Sequence, residues 1–309
     1  MKKIIYVIMA AAFLFAGCQK DSKPQSPPWD KLQKPEASNA PLDPGNNVVA
    51  HRGGSAEAGS PDNSIAALDY AMGLKCYGSE CDIYWTKDDK VVVAHADPEG
   101  RINGLYPWES TLEQLRAEGT LINGEQLPSL EEYLDKVMSP GSCTKLVLDI
   151  KKTPYRDESG NLKEDKKDYP INAVRRACEI IKEKKAENFV EFICCGLESV
   201  MKEAYKYALE LGVDIGWNTG HGAAAVYSRG FPWANLSTVS FTKFGGSCTF
   251  EEFEEHHVLL SVYCVDKARF DGNSIYKDAD VDYMLGYYPK MRTICSNYPA
   301  WLMEKIELL

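Results

Sequence analysis

What this 309-residue sequence lacks narrows its reading first. It has no excess of positive charge: 35 lysines and arginines stand against 45 aspartates and glutamates, a formal net charge of -10. A nucleic-acid backbone needs a basic face, so that partner is not expected. There is no C-x-x-C pair among the ten cysteines, which argues against a structural zinc site. Repetition at solenoid periods is absent, and so is any strongly hydrophobic amphipathic helix of the kind that grips a bilayer. The apolar run from Ile4 to Phe15 is too short to span a membrane permanently.

That run follows Met1-Lys2-Lys3, the charged n-region and short h-region of a secretory signal. It ends Phe15-Ala16-Gly17-Cys18, and small residues directly before a cysteine resemble the lipobox of bacterial lipoproteins. On this reading residues 1–17 are removed and Cys18 becomes the lipidated first residue, a membrane anchor on the exported side. From Gln19 to Pro44 the chain is rich in Lys, Ser, Pro, Asn and Asp. It carries too little apolar surface to offset the entropy of ordering, so 18–45 is expected to be a flexible tether. Residues 46–309 suit one domain, the usual size of an α/β barrel being about 250 residues. Setting Cys18 aside leaves an odd number of cysteines, which cannot all pair within the chain. Most lie in apolar runs, where a thiol behaves as a small hydrophobe.

Short apolar runs rich in β-branched residues alternate with longer amphipathic stretches, the rhythm of βα units. Strands are expected at Asn47–His51, Gly78–Tyr84, Val91–His95, Lys145–Ile150, Phe189–Cys194, Asp214–Trp217, Thr238–Phe241, Leu259–Cys264 and Arg292–Ser296. The turn chemistry of Thr86-Lys87-Asp88-Asp89-Lys90 makes one of these a hairpin partner. Eight strands remain for a (β/α)8 TIM barrel. Helical spacing marks Asn63–Gly73, Thr111–Glu118, Ile171–Lys184 and Glu198–Leu211. Ser129–Met138 carries a capping box, with Glu132 three residues after Ser129. Pro154–Pro170 lacks periodicity and reads as an extended loop after the third barrel strand.

Four polar clusters close apolar strands. His51-Arg52-Gly53-Gly54 offers a proton carrier, a planar fork for phosphate, and glycines that admit close approach to the backbone. Glu80 and Asp82 alternate in one strand and project onto the same face. Inside a barrel two carboxylates are costly unless a cation accompanies them, and a hard divalent metal satisfies both. His95 ends the run Val91-Val92-Val93-Ala94. Asp149 and Lys151 end another, the first suited to a metal and the second to a phosphate oxygen. Taken singly, each has a plainer reading as a strand-end ion pair or a solvated side chain. Taken together, they fall at the carboxyl ends of successive strands, where a barrel gathers its site.

Here the chain closely resembles the glycerophosphodiester phosphodiesterase family over most of Val48 to Pro299. The resemblance is carried by His51-Arg52-Gly53, Pro61-Asp62-Asn63-Ser64 for the family's Pro-Glu-Asn-Thr, Glu80-Cys81-Asp82 leading to Thr86-Lys87-Asp88, and Val92-Val93-Ala94-His95. It implies a TIM barrel with His51 and His95 as acid/base pair, and Glu80, Asp82 and Asp149 as ligands of Ca2+ or Mg2+. Arg52 and Lys151 would lie on the phosphate of a small-molecule phosphodiester. The chain departs from the pattern in four places. Asp149 replaces the usual Glu, and Ala96-Asp97 follows His95 where the family has Asp directly. Tyr263-Cys264-Val265-Asp266 replaces a Trp-Thr-Val-Asn type segment, and Ser296-Asn297-Tyr298-Pro299 replaces Thr-Asp-Tyr-Pro. The last two are expected to line the substrate side.

Three other readings stay open: a phosphatidylinositol-type or other phospholipid phosphodiesterase, a degenerate barrel that binds a phosphorylated ligand, and a sugar-binding module using Trp217 and Trp233 as stacking platforms. The anchor is directly testable. Replacing Cys18 with Ser is expected to leave the chain unprocessed or release it from membranes, as read by fractionation and the mass of the mature N-terminus. A soluble, identical mature product from both versions would remove the lipoprotein reading.

Overall fold

The computed structural model describes residues 40–163, 168–194, 198–270 and 272–309; the signal segment, Cys18, most of the tether and Cys195 lie outside the described residues. The strands are β1 (Val48–Ala50), β2 (Gly78–Trp85), β3 (Val91–Val93), β4 (Lys145–Ile150), β5 (Tyr155–Arg156), β6 (Leu162–Lys163), β7 (Val190–Cys194), β8 (Asp214–Asn218), β9 (Trp233–Ser237), β10 (Leu259–Tyr263) and β11 (Thr293–Ser296). Eight are parallel and close into a barrel in the order β1-β2-β4-β7-β8-β9-β10-β11, with β1 bonded to both β2 and β11. The expected TIM barrel is therefore present. β3 pairs antiparallel with β2 as the expected hairpin. Its turn is closed by the Thr86 N–H, which donates to the Lys90 carbonyl at 3.0 Å.

Local chemistry sets several helix starts. The Ser129 hydroxyl accepts from the Glu132 N–H and the Ser129 N–H donates to the Glu132 carboxylate, so helix Leu130–Val137 begins with the expected capping box. Thr111 and Gln114 form the same box before Leu112–Ala117. Ser64 caps Ile65–Gly73, starting that helix two residues later than the apolar spacing suggests.

Two expectations need correction. Within Thr238–Phe241, Thr238–Ser240 is a helical turn and Phe241 is extended, bridged to Cys248; the strand is Trp233–Ser237 just before it. Its alternate residues Trp233 and Asn235 line the cavity inside the barrel, while Ala234 and Leu236 pack into the main core. The polar inward positions interrupt the apolar run that would have marked it. Pro154–Pro170 is also more ordered than expected: β5 and β6 pair antiparallel, and the next helix, Asp168–Lys184, begins inside this stretch.

The strand period of two sorts the core into two regions. Cys81, Ile83, Leu146, Leu148 and Phe192 pack outward against helix residues such as Leu130, Tyr133, Val174 and Ile181. Inside the barrel, Val49, Val147, Ile193, Trp233 and Cys295 form a separate apolar layer. Gly216 is required there, because a Cβ would stand 2.3 Å from the Trp233 ring. The thiols of the described cysteines are buried, apart from the half-buried Cys264.

Under this layer, at the strands' amino ends, Glu191 is 1% exposed. It accepts from Tyr77 and is paired with Arg292 at 2.8 Å and Lys145 at 3.2 Å. Burial alone would raise the Glu191 pKa, but Arg292 and Lys145 hold it down at about 2. A carboxylate whose pKa is depressed by folding adds stability above its unfolded pKa, about 4.3, and loses it as pH falls through the folded value. The urea-melt stability gap between the native chain and Glu191→Gln is therefore expected to be widest above about pH 4.5 and to close towards pH 2. Glu191→Ala, which strands the partly buried Arg292 and Lys145, is expected to cost about 3 kcal/mol at neutral pH, the low end of the range for breaking a buried pair. A gap independent of pH would show that Glu191 is not the group being held.

Candidate functional site at the carboxyl ends of the barrel strands

Strand register brings the sequence clusters together. Ala50 is level with Ser79, which sets His51 beside Glu80, and Asp82 is level with Asp149. Equal register on parallel neighbours points equivalent side chains to the same face. Glu80, Asp82 and Asp149 thus meet inside the barrel at 4%, 0% and 5% exposure. One carboxylate oxygen from each lies within 4.8 Å of the others.

Two cations answer these acids. Lys151 Nζ stands 2.5 Å from Asp149 and 2.7 Å from Asp82. Arg52 reaches Asp82 with Nε at 3.2 Å and Asp62 with Nη1 at 2.7 Å, and its backbone N–H donates to Glu80 at 3.0 Å. This reach depends on the turn after β1, where Arg52 is left-handed (φ 48) and Gly53 follows at φ 82. A Cβ on Gly53 would stand 2.6 Å from the Ala67 backbone, so glycine is needed.

The acids do not titrate alike. Burial, reinforced by Asp82, raises Glu80 well above the usual carboxylate range. Burial also raises Asp149, against the opposing Lys151. For Asp82 burial is outweighed by Lys151 and Arg52, and its pKa is lowered. The reciprocal effect on Lys151 is a pKa well above its ordinary value, burial notwithstanding, driven by Asp149 and Asp82.

Two residues that motif reading left without a role complete this shell. Asn63, left-handed at φ 58, donates its amide to Asp82 at 2.8 Å and accepts from the Asp82 N–H at 3.2 Å. Asp62 accepts from Arg52 and from the Ser55 hydroxyl. The available signal was the Asp-Asn pair itself, since short polar side chains tolerate left-handed backbone and bond locally.

The histidines flank this cluster. His51 holds Nδ1 at 2.8 Å from the Asn297 side-chain oxygen and Nε2 at 3.7 Å from Glu80. Burial first, then the adjacent Arg52, lower its pKa. His95 follows β3 and is exposed to a cleft of about 1030 Å3. Its pKa is also lowered, by partial enclosure first, then Arg52 and Lys151, with Asp82 opposing. His51 lines a second, deeper cavity of about 190 Å3. Asp149, Lys151, Asn218 and Tyr263 belong to both cavities and form their common wall.

Asp97, two residues after His95, accepts from the N–H groups of Glu99 and Arg101, so it shapes its own loop at the cleft. Two expectations change in this region. Of the late departures, Tyr263 does line the cleft, but Asp266 is 0% exposed and Asn297 stands behind His51. Trp217 and Trp233 are each 2% exposed, packed beneath Arg229 and Arg292 respectively, and cannot serve as open sugar platforms.

The donor set fits a hard divalent cation. All three carboxylates offer oxygen, and Asp149 Oδ1 is buried without a hydrogen-bond partner among the described residues. The fold and site together define a (β/α)8 barrel with a polar, acid-rich centre at the carboxyl ends of its strands. The profile of the glycerophosphoryl diester phosphodiesterase family matches residues 51–214, just over half of the sequence, and the chain belongs to that family. YhdW of Bacillus subtilis, whose own assignment as a glycerophosphodiester phosphodiesterase is provisional, is 37% identical over 97 residues, 29% of this chain and 39% of that protein. A glycerophosphodiester phosphodiesterase of Caldanaerobacter subterraneus is 36% identical over 98 residues, 29% of this chain and 40% of that protein. The matches thus span about two fifths of those relatives. The crystal structure of a glycerophosphodiester phosphodiesterase from Parabacteroides distasonis shares the fold, with a TM-score of 0.65 at 20% identity, covering 86% of this chain and 99% of that one.

If the triad takes a divalent ion, chelator-stripped protein is expected to melt higher when Mg2+ or Ca2+ is added, by about 2.7 kcal/mol of stability at a hundred times Kd. Asp149→Asn should abolish the shift. A native melting temperature indifferent to both ions at millimolar concentration would exclude the site.

Proposed function

We propose that this protein is an exported hydrolase of glycerophosphodiesters, tethered to a membrane through lipidated Cys18, that releases an alcohol and glycerol phosphate. The observation that carries the reading is the common wall of Asp149 and Lys151 between a cavity that His51 lines and a cleft that His95 lines. A phosphodiester at that junction would have a proton-transfer group on each side. Arg52 and Lys151 supply positive charge for its oxygens and lie within the field of the carboxylates that keep them charged. A bound Ca2+ or Mg2+ on Glu80, Asp82 and Asp149 would neutralise the phosphate and the charge that develops as it reacts.

The chain's own part is proton traffic and orientation. One histidine takes a proton from the attacking hydroxyl as the new O–P bond forms. The other gives a proton to the leaving alkoxide as the old P–O bond breaks. The attacking group is water or a neighbouring hydroxyl of the substrate, which would give a cyclic phosphate first. The anchor reading is supported by Phe15-Ala16-Gly17-Cys18, and no helix among the described residues is long and apolar enough to cross a membrane.

The test is turnover of glycerophosphocholine, glycerophosphoethanolamine and glycerophosphoinositol, with and without chelator, beside intact phospholipids. Water-soluble glycerophosphodiesters are expected to be cleaved in a chelator-sensitive way, and preference for intact lipids would favour the phospholipid alternative. His51→Ala and His95→Ala should each lower kcat by about 10² to 10⁴, with the double variant little worse than the worse single one. Binding of these diesters without turnover would make the protein a degenerate barrel.

A further inference from the structure

Behind His51, on the side away from the carboxylates, lies a hydrogen-bonded assembly that the proposed chemistry does not use. Asp266 is buried at 0% exposure. Its Oδ1 accepts from the Asn297 N–H at 2.7 Å and the Ser296 hydroxyl at 3.0 Å, and its Oδ2 accepts from the Asn297 side-chain amide at 3.1 Å. The Ser296 hydroxyl in turn accepts from the Tyr298 N–H at 2.9 Å. The Asn297 oxygen is left facing His51 Nδ1 at 2.8 Å.

Proton inventory leaves one solution. An ionised carboxylate only accepts, so the end of Asn297 that faces Asp266 must be its NH2 group. The end that faces His51 is then the carbonyl oxygen, which also only accepts, and His51 Nδ1 must carry the proton. In the neutral ring the lone pair therefore sits on Nε2, the nitrogen 3.7 Å from Glu80.

We propose that Asp266 and Asn297 are positioning residues that hold His51 as the Nδ1–H tautomer, with Nε2 presented to the phosphodiester as its proton-transfer atom. The inference rests on the phosphodiesterase reading for its catalytic meaning, while the tautomer stands on geometry alone.

The deciding measurement is 15N NMR of His51 in the full-length protein at alkaline pH, where the ring is neutral. The expected spectrum has a protonated Nδ1 and an unprotonated Nε2, and Asn297→Ala should remove that preference. Asn297→Asp places two carboxylates together and is expected to lower both melting temperature and kcat. Asp266→Asn frees the amide to turn and is expected to lower kcat with KM little changed. The double exchange restores one acid and one amide and is expected to recover most of both losses. An Nε2–H tautomer in the native protein, or single effects that simply add in the double variant, would overturn the proposal. If no diester is hydrolysed by any version, the function above fails, yet the spectrum and the stability cycle still decide the tautomer.

Discussion

The register between β2 and β4 governs the upper half of this molecule. Asp82 and Asp149 are cross-strand partners, and Glu80 lies two residues below Asp82 on the same face. Three acids are thereby forced into the barrel interior, where ionised groups are costly unless accompanied by positive charge. The surrounding arrangement follows from that cost. Lys151 bridges Asp82 and Asp149, Arg52 lies against the other side-chain oxygen of Asp82, and Asn63 ties Asp82 to the loop before it. Arg52 can do so only because the chain after β1 turns through left-handed backbone at residues 52 and 53.

The interior apolar layer separates this cluster from a second one. Val49, Val147, Ile193, Trp233 and Cys295 lie between the acids at the carboxyl ends and the Glu191–Arg292–Lys145 group at the amino ends. In the lower group one acid is shared by two cations and a tyrosine hydroxyl, while Glu191 and Arg292 reach the inner cavity from below. The upper group lines that cavity too and, through Asp149 and Lys151, also opens to the outer cleft. Access to the outer cleft fits a division in which the carboxyl end of the barrel is given to chemistry.

Legibility in the sequence tracked how local each signal was. The hairpin at Thr86–Lys90 and the cap at Ser129 depend on neighbours in the chain, and they could be read directly. The gathering of His51, Glu80, Asp82, His95, Asp149 and Lys151 was also legible, because strand-end position in a barrel converts sequence order into spatial convergence. Trp233–Ser237 was missed because its inward positions include Asn235 and Ser237, which broke the apolar run. Asp62 and Asn63 acquire meaning only when Arg52 and Asp82 approach from other elements. The same holds for Asn297, whose contact with His51 joins residues 246 positions apart, and for Asp266 behind it.

That long-range contact has an electrostatic logic tied to the acids. His51 Nε2 already stands 3.7 Å from Glu80, and Glu80 is buried beside Asp82 and Asp149. A carboxylate placed directly on Nδ1 would add another negative group to a region where burial already raises the pKa of Glu80 and Asp149. An amide in that place still accepts the imidazole proton but brings no net charge. Asp266, behind it, polarises and orients the amide through two bonds while its charge stays one residue farther from the triad. An amide at position 297 thus meets the imidazole without adding negative charge beside the triad.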